Sequence, residues 1–226
     1  MRPHSPARAH LEKTSAAQRT ADLAPTAGAN QYELMLYKLA EDKRRLKGFQ
    51  SLEQRAQVKQ EMLPDYVPWI EGVLVGNQGV QDDVLMTVML WRIDAADLPG
   101  ALEIARYAIG HKLSMPDHYA RTTPCLLAEE FADTSIKEKA PLDAAALLEV
   151  AELTAAEDMP DEVRAKLHKA IGYALRETDK PLALDYLKRA LQLHDKAGVK
   201  KDIEKLERDI KNSAPAAGNE NPCSEG

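Results

Sequence analysis

The chain is poor in the features that mark secreted, membrane-spanning or all-β proteins. Only two cysteines occur in 226 residues, Cys125 and Cys223. They lie far apart, and neither stands at metal-ligand spacing from the other or from a histidine, so a reducing cytoplasm is the simplest setting and Cys125 reads as a buried structural thiol. No apolar run approaches the roughly 18 to 20 residues of a membrane span. The opening MRPHSPARAH is not followed by an apolar stretch, so no secretory signal is expected. Aromatics are only 5% of residues, and no segment alternates Val, Ile and Thr with polar residues at period two, which excludes a sheet-based fold.

Two kinds of catalytic signature are missing as well. VGNQGVQDD lacks the Lys-Ser/Thr of a phosphate-binding loop, so nucleotide binding of that type is not expected. A magnesium nuclease needs converging carboxylates. The only dense acidic group in the central region is Asp82, Asp83, Asp94 and Asp97, and each has a helix-terminus or turn explanation. No catalytic residue, metal or cofactor is therefore assigned.

What remains is a chain rich in Ala, Leu, Glu and Lys, 44% hydrophobic and 29% charged, which reads as all-α. Pro64–Ala132 is its densest part and holds both tryptophans. Residues 81–93 should form a central helix buried on most sides, since apolar residues from Val84 to Ile93 cover nearly every face. A second helix should follow from Ala101 to Gly110, completing a hairpin, and a third should run from Pro116 to Glu138 with Leu126, Leu127, Phe131 and Ile136 turned inward. After Pro141, helices are expected over 142–157, 161–178, 180–196 and 199–211.

DLPGALEIARYAI (97–109) echoes DKPLALDYLKRAL (179–191), a texture of stacked antiparallel hairpins like those of tetratricopeptide proteins. The organisation expected is a flexible basic arm (1–30), a long amphipathic helix (31–63), a central helical core (64–140), C-terminal hairpins (141–212) and a disordered tail (213–226).

Charge is divided unevenly. Residues 1–63 hold 11 Lys/Arg against 7 Asp/Glu, and the remainder holds 19 against 29, so a polyanion suits the N-terminal part and protein partners suit the rest. Between Gln31 and Leu63 there is no proline, and a stripe through Met35, Leu39, Leu46 and Phe49 forms a seam for another helix, within the chain or from a second protomer. Arg44, Lys47, Arg55 and Lys59 fall on the opposite side, flanked by Lys43 and Arg45. That side is either a solvated face or a phosphate-tracking surface, which Arg8 and Arg19 of the arm would extend.

QYELMLYKLAEDKRRLKGFQSLEQRAQVKQEMLPDYVPWIEGVL and QDDVLMTVMLWRIDAADLPGALEIARYAIGHKLSMPDHYARTTPCLLAEE resemble the small terminase subunit of P2-like tailed bacteriophages, a similarity continuous from about residue 31 to 135. The resemblance implies a homo-oligomeric ring in the bacterial host cytoplasm. It would bind double-stranded phage DNA at the cos packaging site and load a large subunit that carries ATPase and nuclease. It also brings the label of endonuclease subunit. Three functions stay open: a packaging adaptor, a tetratricopeptide-like protein-binding scaffold, and a true nuclease.

Overall fold

The computed structural model describes residues 30–116, 119–137 and 143–213. The expected arm up to residue 29, with Arg8 and Arg19, and the expected tail from residue 214 lie outside the described residues. Every regular element among the described residues is helical, as the composition implies. The described residues up to Ala120 form one compact unit and those from Arg121 a second.

In the first unit, α1 spans Gln31–Lys47, α2 Leu52–Met62, α3 Val67–Gly76, α4 Asp83–Asp94 and α5 Leu98–Gly110, with a single 3-10 turn, Leu63–Tyr66, between α2 and α3. The long helix expected over 31–63 is two helices. The sequence carries the reason: Gly48 closes α1, and Ser51 then caps α2 by accepting from the Gln54 amide at 3.4 Å. Ser-x-x-Gln ahead of a helical run is a start signal, so the absence of proline did not guarantee continuity.

α4 is the hub. Val84 to Trp91 and Ile93 are all buried, as expected of a helix apolar on every side. α1 and α2 both pack on it, and α5 folds back against it. Polar contacts set the register. Lys43 of α1 donates to Thr87 Oγ1 at 3.3 Å near the start of α4, and Gln60 of α2 donates to the Ala95 carbonyl at 2.9 Å past its end. Tyr66 is fully buried and meets the Trp91 ring edge-on at 5.8 Å. Its hydroxyl donates to Asp42 at 2.6 Å. Burial first, and then the Asp42 carboxylate, push the Tyr66 phenol far above its ordinary pKa, so it stays a neutral donor.

In the second unit, α6 spans Thr123–Lys137, α7 Ala144–Leu153, α8 Asp161–Leu175, α9 Lys180–Leu193 and α10 Lys200–Ser213. Three sequence expectations shift here. α6 starts at Thr123, seven residues after Pro116, and Ile136 is 36% exposed instead of inward. α6 also packs against α7 and α8, so it belongs with the C-terminal helices and not with the central core.

The internal echo corresponds to one shared way of starting a helix. Asp97 caps α5 by accepting from Gly100 at 3.1 Å, and Asp179 caps α9 by accepting from Leu182 at 3.0 Å, each with proline in the first turn where its missing N–H costs nothing.

Candidate nucleic-acid interface

The break at Gly48–Ser51 rearranges the basic side. Arg44, Arg45 and Lys47 stand together in the last turn of α1, where cations offset the negative end of the helix dipole. All three are exposed. Arg44 pairs with Glu41 one turn back, and Arg45 reaches Glu61 at 3.0 Å. Exposed pairs of this kind contribute about 0 to 1 kcal/mol, so a phosphate can displace the carboxylate.

The other predicted contacts are held differently. Lys59 lies on α2, with its side chain only 13% exposed and paired to Asp94. Lys43 is half-buried against Thr87, and desolvation lowers its pKa although the Asp83 charge opposes the shift. Arg55 is also half-buried, with its Nε enclosed and unpartnered. The single stripe expected from a continuous helix is therefore not formed. Arg44, Arg45 and Lys47 are brought together, while Lys43, Arg55 and Lys59 turn toward the fold.

The same fold-back commits the seam. Leu39 and Leu46 are 3% and 4% exposed, buried inside the protomer, while Met35 and Phe49 are half-buried. Leu39 and Leu46 thus pack within the chain, the first of the two partners that the sequence left open.

Beside the cationic corner lies a feature that sequence reading missed. The first two turns of α2 are almost bare: Gln50, Ser51, Glu53, Gln54 and Gln57 are exposed, and Leu52 is 79% exposed. The signal for it was the Ser51 cap, which converts mid-helix glutamines into the start of a separate helix.

The four aspartates do not converge. Asp82 and Asp94 bracket α4, about 18 Å apart along its axis by helical rise. Asp82 caps α4, Asp94 holds Lys59, and Asp97 caps α5 and pairs with Arg92 at 3.4 Å. Among the described residues, no group of three or more His, Cys, Asp and Glu side chains is placed to hold a metal. Among the same residues, no helix is long and apolar enough to cross a membrane.

The phage small terminase subunit family matches residues 36–162. The chain belongs to that family. This terminase subunit is 50% identical over 212 residues to the "Terminase, endonuclease subunit" of Escherichia phage P2, a match covering 92% of the chain and 86% of the relative. It is 26% identical over 195 residues to the "Probable terminase, endonuclease subunit" of Haemophilus phage HP1 (strain HP1c1), covering 78% and 69%. No solved structure matches it. As a terminase small subunit it takes part in phage DNA packaging, with phage DNA and the large terminase subunit as partners. The family match begins inside α1 and includes the whole α1–α2 corner.

Proposed function

We propose that this subunit binds the cos packaging site of phage DNA as a homo-oligomer in the host cytoplasm, and loads or regulates the large ATPase/nuclease subunit. The observation that carries the reading is the pairing of three exposed cations at the end of α1 with the bare start of α2. Phosphate is attracted both by Arg44, Arg45 and Lys47 and by the unsatisfied amides of a helix N-terminus. Gln50, Gln54 and Gln57 supply side-chain amides of the kind that pair with adenine in the major groove, and Leu52 can meet a thymine methyl. Cations position and glutamines read, the usual division of labour.

The test is a salt titration of cos-DNA binding by fluorescence anisotropy. Changing Arg44, Arg45 and Lys47 together to Ala should flatten the slope of log affinity against log salt by about 2.7 units per bound protomer, with circular dichroism unchanged. Gln54→Ala with Gln57→Ala should leave the slope alone and narrow the gap between cos and unrelated DNA. An unaltered slope in the triple variant would move the DNA surface elsewhere, first to Lys200, Lys201, Lys205 and Arg208 on α10.

A second reading, in which this chain itself cuts DNA, is favoured by the names of both relatives. Magnesium-dependent cleavage of cos DNA by the isolated subunit would establish it.

A further inference from the structure

α3 is out of keeping with its position. Val67, Trp69, Ile70, Val73, Leu74 and Val75 make it strongly apolar, yet only Ile70 is buried. Tyr32 of α1 stacks on Trp69 at 5.8 Å with the rings 21° apart, and Tyr107 of α5 closes the far side, its hydroxyl accepting from the Gly79 amide at 2.9 Å. Together they line a groove of about 350 Å³ that runs along α3 toward Val80, itself 67% exposed.

Gly72 and Gly76 lie on its floor, and a methyl added at either would meet nothing within 4 Å. Two exposed glycines weaken a ten-residue helix by about 1 kcal/mol each relative to alanine. Their compensation is room for another backbone to approach closely.

Connectivity and chain length select the occupant. Among the described residues, no lysine or arginine lines the groove. Asp82 lies in its wall and Asp83 follows, and both carboxylates act on the Tyr32 hydroxyl; its pKa is raised, first by burial. Residues 1–29 carry Arg2, Arg8, Lys13 and Arg19 against only Glu12 and Asp22. This segment joins the fold at Asn30, the cap of α1, two residues before the Tyr32 wall. Residues 20–29, TADLAPTAGA, are small apart from Leu23 and Pro25. Ten residues reach up to about 33 Å extended, whereas the ten residues of α3 span about 15 Å. The segment can turn back at Asn30 and still run the length of the groove.

We propose that residues 20–29 of the same chain dock along α3 between Tyr32, Trp69 and Tyr107, with Leu23 as the apolar anchor. Docking covers apolar surface that α3 otherwise presents to water. It gives the N-terminal segment a defined path away from α1.

Trp69 is the reporter, because Trp91, the other tryptophan, is only 5% exposed. Acrylamide quenching is measured on the full-length protein, on a variant lacking residues 1–25, and on full-length Leu23→Glu. The deletion and Leu23→Glu should each raise the quenching constant about twofold, as one face of the Trp69 indole loses its cover, and Trp69→Phe should abolish the quenchable signal. Unchanged quenching in both altered chains overturns the proposal, and a rise on deletion alone overturns Leu23 as the anchor. Mixing the truncated protein with full-length Trp69→Phe tests the origin of the segment. If Trp69 of the truncated chain regains protection, the groove accepts the segment of a neighbouring copy and the same-chain assignment is wrong.

Discussion

Trp69 donates its indole N–H to Asp82 at 2.9 Å, while the other oxygen of the same carboxylate accepts from the Val84 and Leu85 amides at 2.8 and 2.9 Å. One buried aspartate thus starts α4 and fixes a tryptophan brought in from α3. Acting on the helix dipole alone, Asp82 would cost at most about 1 kcal/mol to lose. The structure raises that figure, because cap and indole are lost together. Asp82→Ala should cost about 2 to 3 kcal/mol in urea unfolding. Asp82→Asn should cost about 1 to 2 kcal/mol, since it keeps one acceptor but turns an amide N–H toward the indole donor.

Leu39 and Leu46 were read as candidates for an assembly seam. Their burial within the protomer means that changing both to Asp should unfold the first unit, with loss of helical circular dichroism, before any change of oligomeric mass can be read. Leu39→Ala alone should cost about 2 to 5 kcal/mol. A folded double-Asp protein of reduced mass in light scattering would restore the seam to the protomer interface.

Gly172 lets α8 and α9 approach. A methyl there would stand 2.6 Å from Leu187 Cδ2 and 3.1 Å from the Ala183 carbonyl oxygen. Gly172→Ala gains about 1 kcal/mol of helix propensity but incurs overpacking of about 1 to 3 kcal/mol. A net fall in the thermal midpoint is expected. Pairing it with Leu187→Ala should recover part of the overpacking cost, and a double-mutant cycle measures that coupling.

His168 on α8 packs against the Tyr186 ring at 5.4 Å. Burial first, and then the Arg164 and Arg189 charges, lower its pKa to about 4. Glu152 of α7 shares the same pocket. Below pH 6.5 the unfolded chain takes up a proton that the folded chain refuses until about pH 4. This contribution to stability is therefore intact above pH 6.5 and lost progressively as the pH falls to 4. His168 is partly open to solvent, so the loss is about 1 to 2 kcal/mol instead of the full linkage value. Urea midpoints at pH 7 and 4.5 should differ less in His168→Gln than in the wild type.

Lys59 separates charge composition from charge placement. Its ammonium group is held by Asp94 and largely covered, so Lys59→Ala should leave the salt slope of DNA binding unchanged while lowering stability by about 1 kcal/mol or less. Lys47→Ala should flatten the slope by about 0.9 units per bound protomer. Equal effects on the slope would mean that Lys59 is released from Asp94 when DNA binds.

The all-helical class, the burial of α4 on every side and the hairpin it makes with α5 were legible from composition, apolar coverage from Val84 to Ile93, and the breakers between Asp94 and Gly100. These are properties of contiguous residues, and local preference is enough to state them. The break between α1 and α2 was legible in Gly48 and Ser51 but outweighed by the absence of proline. Which cations face solvent was decided by tertiary structure, because α1 and α2 fold onto α4 and carry Lys43 to Thr87 and Lys59 to Asp94. The same holds for the groove, whose aromatic walls come from residues 32, 69 and 107 on three helices. A helical period determines which side of one helix a residue occupies; only the packing of helices distant in sequence determines what that side meets.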